Sequence, residues 1–117
     1  MLVNLLAVAM GGAAGSLLRY AFQKLLNLHF PYGTLSANIL GCLLIGLLWG
    51  WFLQNEKETL SLLLVTGFCG GFTTFSSFTR EGIEMLLNNR WPAFILYTTL
   101  SVFAGLLATY TGYKIAS

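Results

Sequence analysis

Charged residues divide the chain into long apolar blocks. Residues 1–18 carry none, and residues 25–55 carry none either, with His29 as the one titratable interruption. Residues 59–79 and 91–113 are likewise free of charge. A helix needs about 20 residues to cross a hydrocarbon core of roughly 30 Å. Pro31 and the turn-like Tyr32-Gly33 pair split the second block near its start. The pattern therefore predicts four spanning helices, over about 2–27, 33–53, 60–86 and 92–113. Their short connections make neighbouring helices antiparallel.

Composition agrees. Apolar residues make up 56% of the 117 residues and charged residues 9%, against about 25% charged in soluble domains. Such a surface suits lipid, not water. The net charge of +2 is too small to suggest a nucleic-acid partner, and there is no polybasic run. The N-terminus lacks the basic region of a signal peptide and its apolar run is too long, so it reads as a retained first span. Cys42 and Cys69 fall inside spans and read as small hydrophobes, with no metal spacing or disulfide framework. Residues 1–117 form a single membrane domain. With no soluble part to hold an active site, the chain is not expected to be an enzyme.

Four helices enclose little space, and side chains fill it, so a conducting path points to more than one copy. Gly11/Gly15, Gly46/Gly50 and Gly67/Gly71 have the small-xxx-small spacing of close helix contacts in lipid. Packing within one chain would use the same glycines. Lys57 and Lys114 flank one side of the bundle, and Lys24 and Arg90 the other. This tie gives the chain little reason to insert one way, and a chain inserting both ways can pair with its inverted twin.

Polar residues in a span are costly and tend to be functional. In the first helix Arg19 lies near the far interface. It either snorkels to lipid phosphates or draws anions into a vestibule. In the second, Thr34 and Asn38 are four apart on one face, with Gly41 leaving room beside Asn38. They either glue helices together or line a path for an anion. The third segment, residues 67–78, is Gly-Phe-Cys-Gly-Gly-Phe-Thr-Thr-Phe-Ser-Ser-Phe. Its paired glycines and its Ser and Thr residues weaken a helix at mid-membrane. A break there is tolerated only where freed backbone groups are buried or line a cavity. Exposed carbonyls at such a break suit a hard cation such as Na⁺. The positive ring edges of Phe75 and Phe78, turned inward, would meet an anion favourably. In the fourth helix Tyr97, Ser101 and Gly105 share a face. Glu81 is expected at the mouth of the path or at the interface, or as a solvated charge beside Arg80.

These strings resemble the Fluc, or CrcB, family of fluoride channels over essentially the whole chain. They are Gly11-Gly12-x-x-Gly15…Arg19-Tyr20, then Pro31-x-Gly33-Thr34-Leu35-x-x-Asn38-x-x-Gly41, then Gly70-Gly71-Phe72-Thr73-Thr74-Phe75-Ser76-Ser77-Phe78. The resemblance implies an all-α, antiparallel, dual-topology homodimer with the third helix broken at mid-membrane and two narrow pores. It implies passive fluoride export across the inner (plasma) membrane of a bacterium. It also implies a structural Na⁺ at the dimer centre, held by the main-chain carbonyls of Gly70 and Thr73. Phe75 and Phe78 match the pore phenylalanines and Asn38 the pore asparagine, with Ser76 among the hydroxyl donors. Thr34 matches a vestibule threonine. Arg19 and Glu81 match vestibule charges, and Tyr97 and Ser101 a polar track. Ser77 stands where threonine is usual, Leu43 replaces a common phenylalanine, and Gly105 lies where a track hydroxyl is expected.

Two rival functions fit the chain less well. A small proton-coupled multidrug-type exporter needs a carboxylate within a span, and all four Glu lie near predicted span ends. A non-transporting membrane assembly protein would need neither a broken helix nor a converging polar face.

Overall fold

A computed structural model describes all 117 residues. Four helices are long and apolar enough to span a membrane: α1 (Leu2–Leu26), α2 (Tyr32–Phe52), α3 (Glu58–Leu87) and α4 (Trp91–Ala116). There is no β-sheet. The burial pattern is the reverse of a soluble domain's. Only 19 residues are buried, while Leu17, Phe103 and Leu107 stand at least 65% exposed. Four such helices, with their apolar side chains turned outward, are what a chain that crosses a membrane several times requires.

The helices pack in two pairs, α1 on α3 and α2 on α4. Glycine decides both contacts, because lipid tails give apolar side chains no reason to prefer a helix partner. A Cβ placed on Gly11 would strike the Leu63 carbonyl, and one on Gly15 the Phe68 carbonyl. In the second pair, a Cβ on Gly46 would strike the Thr109 carbonyl. Backbone therefore lies on backbone in each pair.

The connection from α1 to α2 is stapled by Asn27, whose Oδ1 accepts the Thr34 N–H at 3.0 Å and so caps α2 from outside. α3 ends in a Schellman turn. Asn89 takes a left-handed φ of 57°. Arg90 N–H bonds Met85 C=O at 2.8 Å, and Asn89 N–H bonds Leu86 C=O at 3.1 Å. Pro92 follows in the first turn of α4, where its missing N–H costs nothing.

α3 is not uniform. Residues Leu62–Cys69 are wound as a π-helix, and Gly70–Phe72 return to α. Thr73 (φ −90°, ψ 157°) and Thr74 (φ −150°, ψ 121°) are extended. Helix resumes over Phe75–Leu87, capped by Thr74 Oγ1 accepting the Ser77 N–H at 3.1 Å. α4 also carries a π-helical stretch, Leu100–Ala104. Such π turns are rare and gather at functional sites.

Candidate functional site

The extended pair Thr73-Thr74 diverts hydrogen bonds that a continuous helix would make. The Thr74 N–H, which would close on Gly70 C=O, bonds Asn38 Oδ1 at 2.7 Å. Asn38 Nδ2 returns to Thr74 C=O at 3.0 Å. The Ser77 N–H, which would close on Thr73 C=O, goes instead to the Thr74 hydroxyl. Gly70 and Thr73 carbonyls thus both lose their helical partner. Gly71 C=O is served from outside by Arg19 Nε at 2.9 Å. No cluster of His, Cys, Asp or Glu is present to hold a transition metal. A set of main-chain carbonyls is instead the donor chemistry that hard cations take.

Beside this stretch runs a cleft of about 490 Å³ between α2, α3 and α4. Asn38, Gly70, Thr73, Phe75, Phe78 and Ser101 all line it. The Phe75 ring is 77% exposed, and its centroid lies 5.8 Å from that of Phe78. Ser101 Oγ is buried without a hydrogen-bond partner. A buried hydroxyl left unpaired costs about 1–3 kcal/mol, so a second polar species at this position would relieve it. Ser76 is exposed and lies apart from the cleft wall, its Oγ 3.3 Å from Thr74 Oγ1. The room that Gly41 leaves is filled by the Thr73 methyl, which a Cβ there would strike.

Thr34 and Asn38 share a helical face in the sequence pattern, yet they serve different sites. Thr34 is fully buried inside the chain. Its hydroxyl donates to Glu81 Oε2 at 2.9 Å and accepts from Gln23 Nε2 and Asn27 Nδ2, each at 3.2 Å. The donor and both lone pairs are used. Asn27 Nδ2 also donates to Glu81 Oε2 at 3.1 Å, and Tyr97 O–H to Glu81 Oε1 at 2.8 Å. Glu81 is accordingly buried, with 9% of its surface exposed. Arg80 does not pair with it, facing Glu84 at 3.7 Å instead.

Phe78 joins the two regions. Its ring centroid is 5.2 Å from that of Tyr97, so a row of aromatic rings leads from the cleft to the Glu81 network. Beyond Glu81 a polar cleft of about 230 Å³ opens at the loop end, lined by Asn27, His29, Arg80, Glu84 and Arg90 among others.

Gln23 and Asn27 were not singled out from the sequence. The signal was present, because Arg19, Gln23 and Asn27 follow at i, i+4 and i+8 along one face of α1. Arg19 uses that face inwardly: its guanidinium binds Gly71 C=O rather than reaching out toward lipid phosphates.

Comparison with known proteins gives this arrangement a context. The family described as CrcB-like protein, Camphor Resistance (CrcB), matches residues 6–113. A fluoride-specific ion channel FluC of Flavobacterium psychrophilum is 46% identical over 115 residues, covering 93% of each chain. The protein of the same name from Pseudomonas putida is 43% identical over 118 residues, covering 96% of this chain and 95% of its own. That of Azotobacter vinelandii is 46% identical over 113 residues, covering 92% and 91%. These relatives are named as ion channels, not as enzymes. A family match across nearly the whole length, together with relatives this similar, means that the chain belongs to the CrcB family.

Proposed function

We propose that this chain forms a fluoride-selective channel for passive export from the cytoplasm. It works as an antiparallel, dual-topology homodimer in a bacterial inner membrane, with a structural Na⁺ at its centre. The observation that carries the reading is the cleft beside the interruption in α3. There Asn38, two phenylalanines and Ser101, whose buried hydroxyl has no partner within the chain, line one space.

Fluoride is small and strongly hydrated, so a pore must replace its water shell with donors while letting the ion leave. Asn38 Nδ2 has a second N–H beyond the one given to Thr74. Ser101 Oγ has no partner within the chain, and the Ser76 hydroxyl stands outside the cleft wall, beside that of Thr74. The edges of Phe75 and Phe78 add positive partial charge without a full charge that would trap the ion. Behind Phe78, the Tyr97 ring leads toward the buried Thr34 and Glu81 network, and beyond it lies the polar loop-end cleft. The names of the relatives support fluoride as the ion.

The reading puts the interruption at mid-membrane, with the carbonyls of Gly70 and Thr73 as ligands of the Na⁺. Bound there, Na⁺ would supply a fixed positive potential where an anion must cross. The exposure of the Phe75 ring in a single chain supports a second copy covering it. The balance of flanking Lys and Arg supports an inverted copy in the bilayer.

One observation favours the exporter as a second reading. Glu81 is a buried carboxylate, as proton coupling requires. Fluoride efflux from proteoliposomes separates the two. The channel reading expects the same rate with and without a pH gradient. Strict dependence on a gradient would overturn it.

A further inference from the structure

Arg19 stands where α1 packs on the last turn before the interruption in α3. A Cβ on Gly71 would meet the Gly12 carbonyl, so the α1 backbone lies directly on residues 67–71. That contact brings the guanidinium, one turn beyond Gly15, against Gly71 C=O at 2.9 Å. Arg19 Nη1 also faces Gln23 Oε1 at 3.5 Å. From the other side Asn38 holds both the N–H and the C=O of Thr74. Residues 71–74 are thus gripped at each end by a side chain from a different helix.

We propose that Arg19 is a positioning residue: by holding Gly71 C=O it fixes the last turn before the interruption, and with it the direction of the Gly70 and Thr73 carbonyls. The inference rests on the reading of those carbonyls as cation ligands. It differs from a role for Arg19 as an anion-drawing charge, and the two roles predict opposite signs. A guanidinium near a cation site repels the cation, so removing a purely electrostatic Arg19 would tighten Na⁺ binding. Removing a positioning Arg19 would loosen it.

Arg19→Gln and Arg19→Met separate bond from charge. Both are neutral. Gln places an amide N–H at the position of Nε, and Met places a methyl there. Two readouts on the purified dimer apply. One is the NaCl midpoint for protection against thermal aggregation, with choline chloride holding ionic strength constant. The other is amide hydrogen exchange over residues 72–77. Arg19→Met should raise the Na⁺ midpoint at least tenfold and speed exchange. Arg19→Gln should stay within about threefold of the parent chain in both.

Equal behaviour of the two variants overturns the proposal, as does a lower midpoint in Arg19→Met. Recovery of a folded dimer in Arg19→Gln alone supports it, and loss of the dimer in both counts against it. If the parent chain shows no Na⁺ protection, the cation reading fails separately. The exchange comparison then decides the role of Arg19 alone.

Discussion

Asn38 has two tasks in this account, and one substitution pulls them apart. Its amide pairs with the Thr74 N–H at 2.7 Å and the Thr74 C=O at 3.0 Å, holding the extended backbone in place. Asn38→Ala leaves both groups without a partner in a half-buried position. Each buried group left unpaired costs about 1–3 kcal/mol, so a loss of roughly 2–6 kcal/mol of dimer stability is predicted. Asn38→Asp keeps the acceptor for Thr74 N–H but sets a second carboxylate oxygen against Thr74 C=O, so a loss of at least half that size is predicted.

Flux per folded dimer should suffer more from Asn38→Asp than from Asn38→Ala. A carboxylate about 4 Å from a passing anion, at an effective dielectric of about 20, raises the barrier by about 4 kcal/mol. That is roughly a thousandfold in rate. Fluoride efflux from proteoliposomes, normalised to folded dimer by size-exclusion chromatography, reads the rate. Thermal unfolding in detergent reads the stability. Asn38→Asp with flux within tenfold of the parent chain would refute the placement of Asn38 beside the ion path.

Phe75→Ile and Phe78→Ile keep apolar bulk and lose the ring edge. Such swaps usually cost less than about 1.5 kcal/mol, so dimers should assemble while flux collapses; near-normal efflux from both would mean that the rings only pack. Ser101→Ala removes a hydroxyl that has no partner within the chain. A melting temperature unchanged or raised, with flux at least tenfold lower, is expected, and unchanged flux would take Ser101 off the path. Two added Lys in the loop between α2 and α3 should force one orientation and abolish activity. Co-expression with an oppositely biased copy should restore it, and full activity from one biased copy alone would exclude the inverted dimer.

The helices were legible in the sequence because charge-free blocks of spanning length have few alternatives in a chain so poor in charge. The glycine contacts were legible as spacing, although the spacing did not say that α1 takes α3 and α2 takes α4. That residues 67–78 would not wind as a plain α-helix was legible, because glycine pairs and hydroxyls in a span conflict with one. Thr34 was the harder case. Its four-residue spacing from Asn38 puts both on one face, but the neighbouring helices divide that face between the cleft and the Glu81 network. Only packing reveals such a division. Glu81 was hard for a related reason: its position near a span end suggested a wet mouth. The donors that surround it come from Asn27 in the connection after α1, from Thr34 on α2 and from Tyr97 on α4. Gln23 and Asn27 went unnoticed because amides at the end of a first span read as ordinary interfacial residues.

Selective fluoride passage is the central claim, and a paired efflux measurement tests it most directly. Liposomes holding the purified dimer are loaded with equal fluoride and chloride. Release of each ion is followed with its own selective electrode, with no pH gradient and a potassium ionophore to balance charge. The account predicts rapid, complete fluoride release from every vesicle that holds a dimer, with chloride retained until detergent is added. Equal release of both ions, or retention of both, would contradict it.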